Sequence, residues 1–564
     1  MRMSTDESRD EELALATIAA AWEAGVTVFD TARAYGHGDR DLGHNERLLA
    51  RGLRACGAEG RARVVTKGGM ARTGGGWIPD GRGKAIRGDC EASIAALDGL
   101  AIDLYLIHAP DPRTPWRTSV RALARLADAG VVRRVGVSNV NRRQLDEALD
   151  LAPIAAVQVS LSVFDDRALR GGVLERCVEM GLALIAHAPL GGPTRARRLG
   201  RQQALVDVAA ARGASPAEVA LAWLLGLSPA VVAVPGARRP DTARSAAAAA
   251  TLGLHAGERD ALAIAFGGLR PARVRRPPPS DDAEVVLVMG IPGAGKSRVA
   301  EGYVARGYVR LNRDERGGSL RELADALEEQ VASGARRVVL DNTYLTRAAR
   351  SHVIDAAGRH GLPVHCVWVD TPLAQAQVNL VERLLDRVGS LPSPEELRVL
   401  ARRGDGVLAP TSQMRTLREL EPPSIDEGWA GLEHVAFDRA PSTSGAVGVF
   451  VAAGALQRPG WRDAVAEADP SAPHLLFDWQ PGGDVERLAS AVAALEAEVG
   501  GHVQAMLCPH PAGPPTCWCR PPLPGLPLAF ARTHGVDPSR SILIGAGPAH
   551  RTLAATLGAR FLQP

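Results

Sequence analysis

The stretch "VTVFDTARAYGHG", residues 26–38, is a short apolar strand that ends on Asp30 and gives way to a turn carrying Tyr35. Its neighbours along the chain decide the fold to which it belongs. "RVVTK", "DLYLIH", "RRVGVS", "IAAVQV", "LALIAH" and "AVVAVP" recur through residue 268 with amphipathic helical stretches between them. Strands alternating with helices imply a parallel sheet, and the length suits a (β/α)8 TIM-type barrel. Seven strands are legible where a closed barrel needs eight. Either the chain begins inside a first strand, whose end would be "MRMSTDESRDEE", or the barrel is open. An open parallel edge would leave backbone groups unpaired.

The rest of the 564-residue chain is too long for one core. "RPARVRRPPPSDDA" marks a Pro/Arg linker, placed at 269–283, between a domain at 1–268 and a second α/β unit at 284–440. A third unit occupies 446–564, with short apolar strands at "VGVFVA", "HLLFDW", "QAMLC" and "SILIG". No run of eighteen apolar residues and no signal-type N-terminus appear, so a soluble, cytoplasmic protein with no membrane partner is expected. Seven cysteines, four of them scattered, do not form a disulfide framework. A net charge of +3 excludes a global electrostatic footprint for nucleic acid, so any such binding must come from a local groove. Of 66 basic residues only Lys67, Lys84 and Lys296 are lysine, which draws attention to chemistry that a guanidinium cannot do.

Asp30 and Tyr35, Lys67 after "RVVT" and His108 after "DLYLI" all fall at strand C-terminal ends, where TIM barrels keep their chemistry. In type, order and spacing "FDTARAYGHG", "VVTKGG" and "LYLIHAPD" resemble the aldo-keto reductases. A carbonyl reductase needs a proton donor for the developing alkoxide. A free tyrosine titrates at about 10, so a Lys67 ammonium is expected to lower and polarise Tyr35, with Asp30 orienting Lys67 and His108 positioning the small carbonyl substrate. The resemblance further implies Ser138, Asn139 and Gln158 on the nicotinamide amide and His187 near its ring. It also suggests Arg238 and Arg239 on a 2′-phosphate, which favours NADP(H). Thr242, Ser245 and Ala246 stand where some reductases keep further adenosine contacts, and do not match them.

"GIPGAGKS", Gly290 to Ser297, follows the strand "EVVLVM" and opens a helix, which is the context a P-loop NTPase domain requires. Gly290, Gly293 and Gly295 would let backbone N–H groups turn towards phosphate. Lys296 would reach the β/γ oxygens of ATP, and Ser297 would ligate Mg2+. With Asp314 in "LNRDER", Asp341, Asn342 and Thr343 after the third strand, and Arg383 and Arg387 four apart in "NLVERLLDR", the set resembles the polynucleotide 5′-kinases. That resemblance makes Asp314 the general base for a 5′-hydroxyl on RNA or DNA, and Arg383 and Arg387 the lid arginines. Arg316 sits one residue early for an acceptor-phosphate contact. The simpler readings are an N-cap turn for "NRD" and a solvated face for the arginine pair.

"CPHPAGPPTCWCRPP", residues 508–522, offers Cys508, His510, Cys517 and Cys519, three thiols and an imidazole suited to one tetrahedral Zn2+. With "SILIGAGPAHRTLAATLGARFL" it resembles the haloacid-dehalogenase-type (HAD-like, Rossmannoid α/β) phosphatases with a zinc loop. Val451 and Ala453 stand where that family keeps its two aspartates, Pro521 replaces its lysine, and Gly545–Ala546 replaces its late "GD". An inactive phosphatase-like module with a structural zinc is expected. Together the parts point to 5′-hydroxyl polynucleotide kinase activity in end repair, joined to an NADP(H)-dependent reductase. The alternatives are a bifunctional sugar or polyol kinase and reductase, or a nucleotide-dependent scaffold with a non-catalytic barrel.

Overall fold

The computed structural model describes residues 2–74, 76–267, 283–402, 407–437, 445–483 and 485–564. Apart from Ala283, the expected linker lies outside the described residues. The chain divides into two compact units, Met1–Arg273 and Val274–Pro564.

The first unit is built on seven parallel strands: β1 (Val28–Asp30), β2 (Arg63–Gly68), β5 (Ile102–Ile107), β6 (Val135–Ser138), β7 (Ile154–Ser160), β8 (Ala183–His187) and β9 (Val231–Val234). Their sheet order is β1-β2-β5-β6-β7-β8-β9. Each crossover is helical, and the sheet curls into a nearly closed (β/α)8-like barrel. Val65, Leu104, Leu106, Ala156 and Ile185 form one buried cluster, while Tyr105, Ile107, Val137 and Val157 pack with the surrounding helices. This alternation is what a strand with two covered faces requires. Among the described residues no strand joins β9 to β1, so the count of seven holds. The N-terminus does not supply a strand end: Arg2–Thr5 is a helical turn, correcting the expectation. Its sequence, "RMST", has no β-branched run, and fully buried Ser4 is anchored through its Oγ, which accepts from Asn45 Nδ2 at 2.8 Å.

Between β2 and the next helix lies an antiparallel hairpin that the strand count passed over, β3 (Met70–Thr73) and β4 (Gly76–Pro79). It continues directly from the C-terminal end of β2, and so lies at the end of the barrel that carries Lys67.

The second unit contains two five-stranded parallel sheets. One comprises β10 (Glu284–Met289), β11 (Val309–Asn312), β12 (Arg337–Asp341), β13 (Val364–Asp370) and β14 (Gly431–Ala436), in order β11-β12-β10-β13-β14. "VVLVM" of β10 is completely buried, as expected for a central strand covered on both faces. The other comprises β15 (Val449–Ala452), β16 (His474–Trp479), β17 (Val503–Cys508), β18 (Ile542–Ile544) and β19 (Arg560–Leu562), in order β17-β16-β15-β18-β19. The helix Leu373–Val388 links them. Its Val378, Val381, Leu384 and Leu385 belong to one buried cluster with Phe450, Phe477 and Trp518. Among the described residues no helix is long and apolar enough to cross a membrane.

Candidate functional site

Parallel register places the four expected barrel residues at one end: Asp30 pairs with Val65, two residues before Lys67, and Lys67 pairs with Leu106, two residues before His108. The Lys67 side chain is fully buried. Its Nζ donates to Asp30 at 2.8 and 2.7 Å, to Thr31 O at 2.7 Å and to Tyr35 Oη at 3.2 Å. Burial works against the Lys67 charge, but the Asp30 carboxylate and the Tyr35 hydroxyl outweigh it and raise its pKa. For Tyr35 the expectation is corrected. Burial raises the phenol above its ordinary range and outweighs the opposing pull of the ammonium, so Tyr35 is held protonated. Burial, and then the Lys67 charge, lower His108 to about 3, so this imidazole is neutral; its Nδ1 is buried without a hydrogen-bond partner.

The sequence pattern does not disclose Trp77. It stands on β4, 40% exposed, edge-on to Tyr35 with ring centroids 5.9 Å apart and to His108 at 6.1 Å, while Tyr35 and His108 stand 5.6 Å apart. Three rings thus cluster at this end of the barrel. The only signal in the sequence is the glycine-rich turn "RTGGGW", which carries an aromatic beyond it.

Ser138 and His187 end β6 and β8, Asn139 follows Ser138, and Gln158 lies on β7 two residues before its end. Their hydrogen bonds add detail. Gln158 Nε2 donates to Asp30 Oδ1 at 2.8 Å, Asn139 Nδ2 donates to His108 O at 2.9 Å, and His187 Nε2 lies 2.9 Å from Asn139 Oδ1. Arg238 is paired with Asp6 at 3.1 Å, and Arg239 occupies the N-cap position of the helix Pro240–Ala248.

In the second unit the phosphate loop joins β10 to the helix Lys296–Val304. Gly290 and Gly293 have φ of +154° and +83°, and a Cβ on them would stand 2.6 Å from Val369 O and 2.3 Å from Ala376 O. Only glycine fits there. Lys296 Nζ donates to Ile291 O at 2.9 Å; loss of solvent, with Arg383 nearby, brings its pKa down to about 8 against the pull of Asp341 and Asp314. Gly295 is the N-cap of this helix, and Ser297 stands exposed in its first turn. Asn312 caps the turn Arg313–Arg316 by accepting from Asp314 N at 2.7 Å, so the N-cap reading of "NRD" holds. The Asp314 carboxylate still faces outward, 60% exposed. Arg383 and Arg387 are exposed on the Leu373–Val388 helix, and Arg383 is close enough to act on Lys296. Asp341 is buried and held by Arg310 at 2.9 and 2.8 Å, a partner the motif does not reveal.

At the end of β17 the ligand atoms of Cys508, His510, Cys517 and Cys519 all lie within 4.8 Å of one another. Cys508 and Cys517 Sγ are 3.7 Å apart, too far for a disulfide, and Cys508 Sγ lies 3.5 Å from His510 Nδ1. A tetrahedron with Zn–S bonds of about 2.3 Å has S···S edges of roughly 3.8 Å, so the four groups fit one such ion.

Residues 1–263 match the model of the aldo/keto reductase family, and residues 285–401 match that of an AAA domain. An uncharacterised oxidoreductase of Schizosaccharomyces pombe is 30% identical over 238 residues, which span 42% of this chain and 73% of that one. The chain belongs to the aldo/keto reductase family. A probable aldo-keto reductase of Glycine max is 29% identical over 256 residues, 40% of this chain and 71% of that one. Among solved structures, a thermostable aldo-keto reductase with the inhibitor epalrestat is 31% identical, with a TM-score of 0.39, covering 46% of this chain and 90% of its own. An aldo/keto reductase from Klebsiella pneumoniae, solved with NADP and acetate, is 25% identical with a TM-score of 0.40 over 48% and 90%. The family assignment makes the first unit an oxidoreductase, and the AAA match makes residues 285–401 a P-loop domain.

Proposed function

We propose that the barrel reduces small carbonyl compounds with NADP(H), and that the second unit transfers the γ-phosphoryl group of ATP to the 5′-hydroxyl of a polynucleotide. The observation that carries the first half is the Lys67 ammonium bonded to both Asp30 and Tyr35. Ser138, Asn139, Gln158 and His187 form a polar set at the strand ends that fits a nicotinamide, and Arg239 at a helix N-terminus suits a 2′-phosphate. Bound NADPH would supply the hydride. Tyr35 gives its proton to the carbonyl oxygen, Lys67 stabilises the resulting phenolate, and Asp30 with Thr31 O keeps Lys67 in place. Neutral His108 orients the carbonyl, and Trp77, edge-on to Tyr35 and His108 and with the Arg72 guanidinium 4.1 Å from its ring centroid, borders the site. NADPH oxidation with a panel of aldehydes tests this: turnover by the wild type and its loss in Tyr35→Phe are expected. A panel that leaves NADPH unchanged refutes it.

In the second unit the glycine cradle and Lys296 fit the phosphates of ATP, Ser297 would hold Mg2+, and Asp314 takes the proton of the attacking hydroxyl. As the hydroxyl oxygen bonds to the γ-phosphorus, the bond to ADP breaks, and Arg383 and Arg387 offset the charge. The solvent-facing Asp314 supports an acceptor that is the end of a long chain rather than an enclosed metabolite. The third sheet, with strand order β17-β16-β15-β18-β19, supports a HAD-like module, and the Cys3His set would hold a structural Zn2+. Val451 and Ala453, both buried and apolar at the end of β15, leave it without a nucleophile. Label from γ-labelled ATP should pass to 5′-hydroxyl RNA or DNA oligonucleotides, and should be lost in Lys296→Ala and Asp314→Ala. Label transferred instead to sugars or polyols would establish the small-acceptor kinase.

A further inference from the structure

The helix Leu373–Val388 has the phosphate loop on one side and the cysteine loop on the other. Towards the first, Asn379 Nδ2 donates to Gly293 O at 2.8 Å, and a Cβ on Gly293 would stand 2.9 Å from Leu380 Cγ. Towards the second lies Trp518, set between Cys517 and Cys519 and 2% exposed. Its Nε1 donates to Leu408 O at 2.9 Å, and it lines one small cavity together with Leu380, Leu384, Arg383 and Arg387. Two helices of the third module grip the same helix elsewhere: Arg532 of Gly525–His534 pairs with Asp386, and Gln375 Nε2 donates to Thr556 O of Pro548–Leu557 at 3.2 Å. Leu380 is therefore in direct reach of both loops.

We propose that Trp518, held between two metal-ligand cysteines, is a positioning residue that seats the helix bearing Arg383 and Arg387 against the phosphate loop, so that zinc loading sets nucleotide affinity. The inference rests on the zinc and nucleotide readings above. A four-ligand ion would tie Cys508 and His510 to Cys517 and Cys519 and fix the indole from both sides. Without it, the proline-rich loop loses its cross-link and Trp518 its anchor. A packed interior passes such a displacement to its neighbours rather than absorbing it, and the next neighbours are Leu380 and Leu384. On this reading the third module lacks the groups for phosphatase chemistry but retains a use, as the support of the phosphate arginines.

The test uses the full chain, with zinc measured by a chromogenic chelator and the Kd of N-methylanthraniloyl-ATP read by fluorescence. The wild type should hold one zinc. Stripping the metal and removing the chelator should weaken the nucleotide Kd within the roughly 5–150-fold range of coupled sites, and Zn2+ should restore it. Trp518→Ala should weaken the Kd by a similar factor while the zinc is retained, and stripping it should then add little. Trp518→Phe, which fills the site but lacks the Nε1 donor, should fall between and serves if the alanine variant does not fold. A merely structural role would lower the melting temperature and leave the Kd, measured well below it, unchanged. A wild type without zinc overturns the inference through the zinc reading, and one that does not bind the nucleotide overturns it through the nucleotide reading. A wild type with both, whose Kd ignores metal removal and Trp518 substitution alike, overturns the coupling itself.

Discussion

Replacing Lys67 with methionine separates what the lysine does for stability from what it does for chemistry. Methionine nearly matches its length and suits a fully buried site, but removes four donor contacts: two to Asp30, one to Thr31 O and one to Tyr35. Asp30, whose side chain is only 13% exposed, would keep Gln158 Nε2 as its neutral partner and no counter-charge. Leaving one member of a buried pair uncompensated costs about 3–5 kcal/mol. At roughly 2–4 °C per kcal/mol for a unit of this size, the barrel transition should fall by about 6–20 °C in scanning calorimetry. Adding Asp30→Asn removes the orphaned charge, so the double variant should recover most of that loss. It should not recover activity. The ammonium proposed to stabilise the phenolate is still missing, and kcat should stay lower by about 10²–10⁴, the usual worth of a positioned acid–base group. A Lys67→Met transition at the wild-type temperature, or a double variant no more stable than the single one, would refute the reading of Asp30–Lys67 as an obligate buried pair. A double variant that reduces aldehydes at the wild-type rate would refute Lys67 as the partner of Tyr35.

The same geometry leads to three further outcomes. His108 has a folded pKa of about 3, below its unfolded value of about 6.5, so the unfolded chain takes up the proton first. Stability should fall by about 1.4 kcal/mol per pH unit below 6.5, and urea titrations of His108→Asn between pH 7 and 5 should lack that component. The Lys296 pKa of about 8 predicts that ATP affinity weakens as pH rises through 8, and that binding near pH 8 takes up a proton, visible as a calorimetric heat that varies with the buffer's ionisation enthalpy. Gly293→Ala would place a methyl group 2.3 Å from Ala376 O at a φ of +83°, so it should abolish nucleotide binding while Lys296 stays intact.

Much of the reductase centre is legible in the sequence because each residue ends a strand, and consecutive strands in a parallel barrel are neighbours in space. Asp30, Lys67 and His108 lie on three adjacent strands of the sheet, so spacing along the chain translates directly into proximity. The glycine cradle is legible for a related reason: strand, loop and helix are contiguous. The balance at Tyr35 is not legible, because a sequence shows that an ammonium will be near but not how completely both groups leave water. Nor is Trp77, since a two-stranded hairpin rich in glycine has no periodicity to distinguish it from a loop. Gln158 bonds Asp30 across 128 residues, and no local pattern encodes that.

The same contrast explains why the C-terminal loop reads from its sequence as a local zinc-loop motif and no more. Its three thiols and imidazole are local, within twelve residues, and the Cys–x–His and Cys–x–Cys spacing picks them out. The partner of the tryptophan between them is remote. Leu408 is 110 residues away, and the apolar face of Leu373–Val388 has the same amphipathic pattern as a helix covering its own sheet. A helix with two sides to satisfy must bury residues towards both, and this one does: Ala376 and Leu380 crowd Gly293, while Leu384 and Leu385 join the cluster around Trp518. Arg383 and Arg387 are exposed on this helix and line the small cavity with Trp518, so on the reading proposed above their placement is set by packing rather than by a free lid. A free lid should tolerate change in the third module, because its arginines would find the phosphates by their own flexibility. A helix seated on both sides should not, and substitutions at Trp518, over a hundred positions from Arg383 and Arg387, should then be felt first in nucleotide affinity.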